Sequence, residues 1–182
     1  MIYFILDFIL LLLGIGGLYL GLRRGFLRMI LSTIALLLAM AFSALASTPL
    51  VGVFVRGSGS QADPPIAIVF AGLVLAFYAL LESLLRRSFP VTRIRILGGL
   101  DNVLGAVFAI PWILLALALF VRILGYGIYA ITGAPGTGFL GGWLITSGLV
   151  GFLGDVLLIP INLMRFLFPA GLPQPLQYFA SI

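Results

Sequence analysis

Residues 17–32 read GLYLGLRRGFLRMILS. Arg23, Arg24 and Arg28 stand together here, between apolar runs at residues 2–22 and 26–46. Each run is near the ~20 residues that a helix needs to cross ~30 Å of hydrocarbon. A spanning segment must satisfy its backbone internally, so the runs are expected to be helices. The stretch therefore predicts two spans joined by a tight, basic turn.

Further runs follow at residues 66–85 and 103–124. Composition agrees: 63% of residues are hydrophobic, 8% are charged, and mean hydropathy is +1.30. A soluble domain carries roughly 25% charged residues, so this chain cannot build a water-facing surface. The N-terminal MIYFILDFILLLLG has no basic leader and no small-residue cleavage site, and reads as a retained span. Residues 143–168 are apolar but interrupted by Gly148, Gly151, Gly154, Asp155 and Pro160. They read as short interfacial or re-entrant helices, with a fifth span as the alternative. Beyond Pro169, Pro173 and Pro175 predict an extended or irregular tail. The expected fold is an all-α integral membrane protein with four transmembrane helices and apolar C-terminal helices. A four-helix domain over residues 1–126 and a Gly/Pro-rich, membrane-associated segment over 127–182 are the expected divisions.

The joins differ in kind. The first and third carry Arg23, Arg24, Arg28, Arg86, Arg87, Arg93 and Arg95. The second, rich in turn residues (Gly57, Gly59, Pro64, Pro65), together with the end of run four and the region after it, holds only Arg56, Arg122 and Arg165. If all four runs span, both Arg-rich loops, 23–28 and 86–95, fall on one side. That side is cytoplasmic by the positive-inside rule, which leaves the N-terminus outside. The net charge of +5 thus reports orientation and not nucleic-acid binding.

Lipid offers no hydrophobic gain for helix association, and close approach through small residues replaces it. Gly17, Gly21 and Gly25 recur at spacing four in run one, and Ala35, Ala39, Ser43 and Ser47 in run two. Being joined by a tight turn, these two runs are expected to face each other through their stripes. Run four adds Gly105 and Ala109.

Chemistry is sparse. The chain has no His and no Cys, which removes the commonest general base, the commonest metal ligand and any thiol chemistry. No catalytic, cofactor or metal site is expected. Gly136, Gly138 and Gly141 match a dinucleotide-loop spacing, but that pattern needs a strand before it and a helix after it. Residues 136–142 read instead as a flexible loop at the membrane edge, within a Gly-rich, uncharged join over 125–142. Of the five acids, Asp63 sits in a turn, Asp7 is placed to reach the headgroups, and Asp101 is placed to cap run four. Glu82 precedes Arg86 by one turn, a helical i,i+4 pair. Acids inside a membrane otherwise mark functional sites. On the expected topology Arg23, Arg24, Glu82 and Asp101 share one end, which makes them a candidate charge cluster.

Three stretches together resemble the colicin V production protein (CvpA) family: ILDFILL around Asp7, GLRRGFLRMILS with Arg24, Gly25 and Phe26, and GLDNVLGAVFAIPWILL with Asp101, Val103, Leu104 and Gly105. The sequence departs from the family's pattern at Asn102, where Arg is frequent, and at residues 111–113, where PWI replaces an Arg-Gly pair. The resemblance implies a four-span protein of the bacterial inner membrane linked to toxin production or envelope homeostasis. The expected role is a scaffold or homo-oligomer, with the bilayer and other membrane proteins as partners. The alternatives are an oligomeric transporter or channel, with Glu82, Asp101 or Asp155 along its path, and an accessory subunit of a larger complex.

Overall fold

A computed structural model describes residues 2–54, 64–88, 99–132, 138–166, 168, 171–173, 176, 177 and 179. Gly57, Gly59, Asp63, Arg56, Arg93, Arg95, Gly136, Pro169 and Pro175, used in the reading above, lie outside these residues. Six helices follow in order: α1 (Ile2–Arg24), α2 (Phe26–Phe54), α3 (Pro64–Ser88), α4 (Gly99–Thr132), α5 (Gly138–Thr146) and α6 (Gly148–Arg165). Five of them, α5 excepted, are long and apolar enough to cross a membrane.

The helices outrun the apolar runs that announce them. α4 is 34 residues long, about 51 Å at 1.5 Å per residue. It carries Pro111 inside it and continues through Gly125 and Gly127. The boundary drawn at 126/127 therefore falls within a helix. The expected join at 125–142 and its loop at 136–142 shrink accordingly, because residues 138–142 open α5. Flanking glycines did not stop either helix: satisfying the backbone in an apolar medium outweighs glycine's modest helix penalty.

α4 is the central helix, packed against α1, α2, α3, α5 and α6. α2 and α3 form the other major pair. The expected face-to-face pairing of α1 with α2 is not what forms. Those helices scarcely meet beyond their junction, and the glycine stripe of α1 lies on α4 instead. The reason is at Gly25, whose φ of +81° ends α1 in the left-handed region. Its N–H donates to the Gly21 carbonyl at 3.1 Å, a C-terminal cap, and α2 then leaves in a new direction. α2's own stripe is still used: Ala35, Ala39, Ser43 and Ser47 are buried in a helix whose neighbours are α3 and α4.

One end of the bundle gathers Arg24, Arg28, Glu82, Arg86 and Asp101. α6 starts at the opposite end, where the Ser147 side chain caps it, and runs back along α4. Gly154 passes Arg122, and Leu163 reaches the level of Pro111 and Thr33. The chain then turns round. Phe179 ends against Phe70 and Tyr126, with ring centroids 5.6 and 6.3 Å away, in the half of α4 remote from the arginines. α6 is a single 18-residue helix, long and apolar enough to be the fifth span given above as the alternative. Pro173 starts a short turn in this tail, its carbonyl accepting from Leu176 and Gln177 N–H at 3.0 Å each.

Candidate functional site at the arginine end

α1 and α4 approach each other backbone to backbone. A Cβ on Gly21 would lie 2.5 Å from the Ala109 Cβ and 2.7 Å from the Gly105 carbonyl oxygen. A Cβ on Gly105 would lie 2.5 Å from the Gly21 carbonyl oxygen and 2.9 Å from the Gly25 Cα. A Cβ on Gly17 would strike Ile113 at 2.5 Å. Gly17, Gly21, Gly25 and Gly105 therefore admit a helix–helix approach that no side chain permits.

That approach delivers Asp101. Its side chain is 2% exposed, and Oδ1 accepts a hydrogen bond from the Phe26 N–H at 3.2 Å. Phe26 opens α2, so this N–H is one of the orphan donors of a helix start. Asp101 was expected to cap its own helix; it caps α2 across 75 residues of sequence. Its Oδ2 is packed against Gly25, where a Cβ would sit 2.5 Å away. Phe26 then turns its ring edge-on to Phe108, 4.6 Å between centroids. Asp101, Gly25, Phe26 and Gly105 form one junction of α1, α2 and α4.

Glu82 builds a second junction. It is 7% exposed and faces α2. Arg28 Nη2 donates to its Oε1 at 3.0 Å and Ser32 Oγ to its Oε2 at 3.0 Å. Arg28 and Ser32 are four apart and share a face of α2, which is why both reach one carboxylate. Arg24 Nη1 lies 3.7 Å and Arg86 Nε 3.5 Å from Oε1. Three guanidiniums thus converge on one acid. One turn earlier in α3, Tyr78 accepts a hydrogen bond from Trp112 Nε1 at 3.1 Å.

The proposed single cluster of Arg23, Arg24, Glu82 and Asp101 therefore resolves into two neighbouring junctions. Arg24 pairs with Glu82, and Asp101 bonds to the backbone of Phe26. Arg23 stands over the Tyr19 ring, 4.7 Å from its centroid. Sequence reading missed Arg28 and Ser32 as partners of Glu82; their own spacing of four on one face of α2 was the available signal.

At the far end Asp7 does not reach for headgroups. Its Oδ1 accepts from Trp143 Nε1 at 2.8 Å and Ser147 Oγ at 2.6 Å, tying α1 to α5 and the start of α6. Asp155, by contrast, is exposed. Among the described residues no group of His, Cys, Asp and Glu is placed to hold a metal ion.

These junctions lie on the residues that carried the family resemblance. The family described as colicin V production protein matches residues 6–158. The chain belongs to the colicin V production protein family. No curated protein and no solved structure matches it. Asp7, Arg24, Gly25, Phe26, Asp101 and Gly105 all fall inside the matched region. Membership makes the chain a multi-pass membrane protein of a family connected with toxin production.

Proposed function

We propose that this chain is a bacterial inner-membrane scaffold that supports toxin export or envelope homeostasis. It assembles with copies of itself or with other membrane proteins and carries out no chemistry of its own. One observation carries this reading: Glu82 and Asp101, two of the three acids expected along a transport path, are engaged in holding helices, as is Asp7. Glu82 joins α3 to α2, Asp101 joins α4 to α2, and Asp7 joins α1 to α5 and α6. Meanwhile α1 turns Phe4, Phe8, Leu11, Leu12 and Ile15 outward, each more than half exposed. Such a face suits lipid or another membrane helix. The arginines favour placing their end in the cytoplasm and the N-terminus outside.

The test is the native mass of the protein extracted in mild detergent, combined with ion flux in liposomes. An oligomer or a copurifying membrane subunit, without flux, is the expected result. A lone monomer at every concentration removes the scaffold reading. Flux abolished by Glu82→Gln replaces it with a channel.

A further inference from the structure

Two features of the bundle meet where α1 and α4 approach the arginine end. The first is the excess of charge around Glu82. Among the described residues, Arg24, Arg28 and Arg86 crowd one carboxylate, which leaves two positive charges over. Glu82 is buried, whereas the Arg86 and Arg24 side chains are 60% and 25% exposed. The second is an apolar groove of about 410 Å³ between α1 and α4, with Gly16, Gly17 and Leu20 on one wall and Trp112, Ile113 and Ala116 on the other.

The groove leads to the charge along both walls. Leu20 lies one turn before Arg24 on α1. Trp112 is hydrogen-bonded to Tyr78, which lies one turn before Glu82 on α3, and Arg86 follows one turn later. Gly16 keeps the groove open, because a Cβ there would meet nothing within 4 Å. A pocket that is apolar along its length and cationic at one end matches an amphiphile with an anionic head. We propose that this groove binds one anionic phospholipid, with its phosphate on Arg24 and Arg86 and an acyl chain along Gly16, Gly17 and Trp112. A zwitterionic lipid fits less well, since Glu82, the acid paired with these arginines among the described residues, is already engaged by three of them. Basic pockets between membrane helices bind anionic headgroups, and arginines beside an anionic membrane surface are worth about 1 kcal/mol each, roughly fivefold in affinity. The inference goes beyond the scaffold reading and does not rest on it.

The experiment titrates the whole protein in detergent with phosphatidylglycerol, phosphatidylcholine or inorganic phosphate, following the melting temperature and lipid adducts by native mass spectrometry. Phosphatidylglycerol is expected to raise the melting temperature and to remain as one adduct, while the other two do neither. Arg86→Gln is expected to weaken the effect about fivefold. Gly16→Leu fills the groove from an open position and is expected to abolish the adduct while the lipid-free protein melts as before. Equal stabilisation by phosphatidylcholine overturns the charge selectivity. An equal effect of phosphate alone makes the site a plain anion site and overturns the lipid. Full phosphatidylglycerol binding by both variants overturns the location. A fall in native mass in Gly16→Leu with the adduct retained assigns the groove to a second copy of the chain and overturns the proposal.

Discussion

The Asp101 carboxylate accepts its hydrogen bond from the backbone N–H of Phe26, at 3.2 Å, and so completes a helix that starts 75 residues earlier. Gly25 makes this possible twice over. Its positive φ separates α1 from α2 and exposes the Phe26 N–H, and its missing side chain gives Asp101 room. The Arg24-Gly25-Phe26 stretch and the stretch from Asp101 to Gly105 are thus two halves of one contact in this chain. α4 cannot dock on α1 unless Gly21 and Gly105 are both bare.

Asp101→Ala removes the cap and leaves the Phe26 N–H buried without a partner. The expected loss is about 0.5–2 kcal/mol, the range for helix caps. Asp101→Asn keeps an acceptor and loses only the charge near two helix starts, about 0.3–1 kcal/mol. Detergent unfolding by heat orders the variants. Equal losses for the two substitutions contradict the capping role.

Gly21→Ala places a methyl group against the Gly105 carbonyl, which is backbone and cannot rotate away. Overpacking costs about 1–3 kcal/mol where side chains yield, so a loss at or above the top of that range is expected. Gly16→Ala is the control, since its Cβ would meet nothing within 4 Å. A glycine effect due to helix propensity alone stabilises both. Thermal melts of the pair separate close packing from propensity.

Glu82→Gln keeps hydrogen-bonding atoms but leaves Arg24, Arg28 and Arg86 without the carboxylate they share. Hydrogen bonds to charged groups are worth about 1.5–3 kcal/mol, and a loss of that size is expected. In a double-mutant cycle with Arg28→Gln the second substitution should cost much less than the first, because the two groups share a 3.0 Å contact. Additive losses would place the stabilisation elsewhere. Arg87→Gln, outside the Glu82 contacts, is expected to change stability by no more than about 0.5 kcal/mol.

Hydropathy made the long helices legible, because span length and backbone satisfaction leave a bilayer-embedded chain few options. Which helix faces which was less so. The Gly17–Gly21–Gly25 stripe announced a close approach but carried no address: both α2 and α4 offer small residues at spacing four. Chain continuity argued for α2, and a single positive φ at Gly25 redirected the stripe to α4. Glu82 was legible as an i,i+4 neighbour of Arg86, yet its stronger partners, Arg28 and Ser32, come from α2. Such partners depend on the rotation of two helices about their axes, which no local spacing states. Asp7 was read as a headgroup anchor because its two donors lie 136 and 140 residues away.

That distant contact predicts how the C-terminal third is held. Trp143 is 2% exposed and Ser147 is 8% exposed. Both donate to one oxygen of Asp7, and the Ser147 hydroxyl also accepts from the Val150 N–H at 3.3 Å. The acid therefore links the first helix to the cap of α6 through a single hydroxyl. Asp7→Ala strands two buried donors at about 1–3 kcal/mol each before relaxation. Ser147→Ala removes a donor to Asp7 and the cap together. If the three groups act as one, Ser147→Ala should cost less in the Asp7→Ala background than alone, by at least about 0.5 kcal/mol. Hydrogen exchange gives the location. α5 and the first turn of α6 should lose protection in Asp7→Ala, while Arg28 to Ser32 and the start of α4 keep theirs, since Asp101 and Glu82 hold that end independently. Uniform loss of protection over all six helices would mean that Asp7 supports the whole fold and not the docking of its C-terminal third.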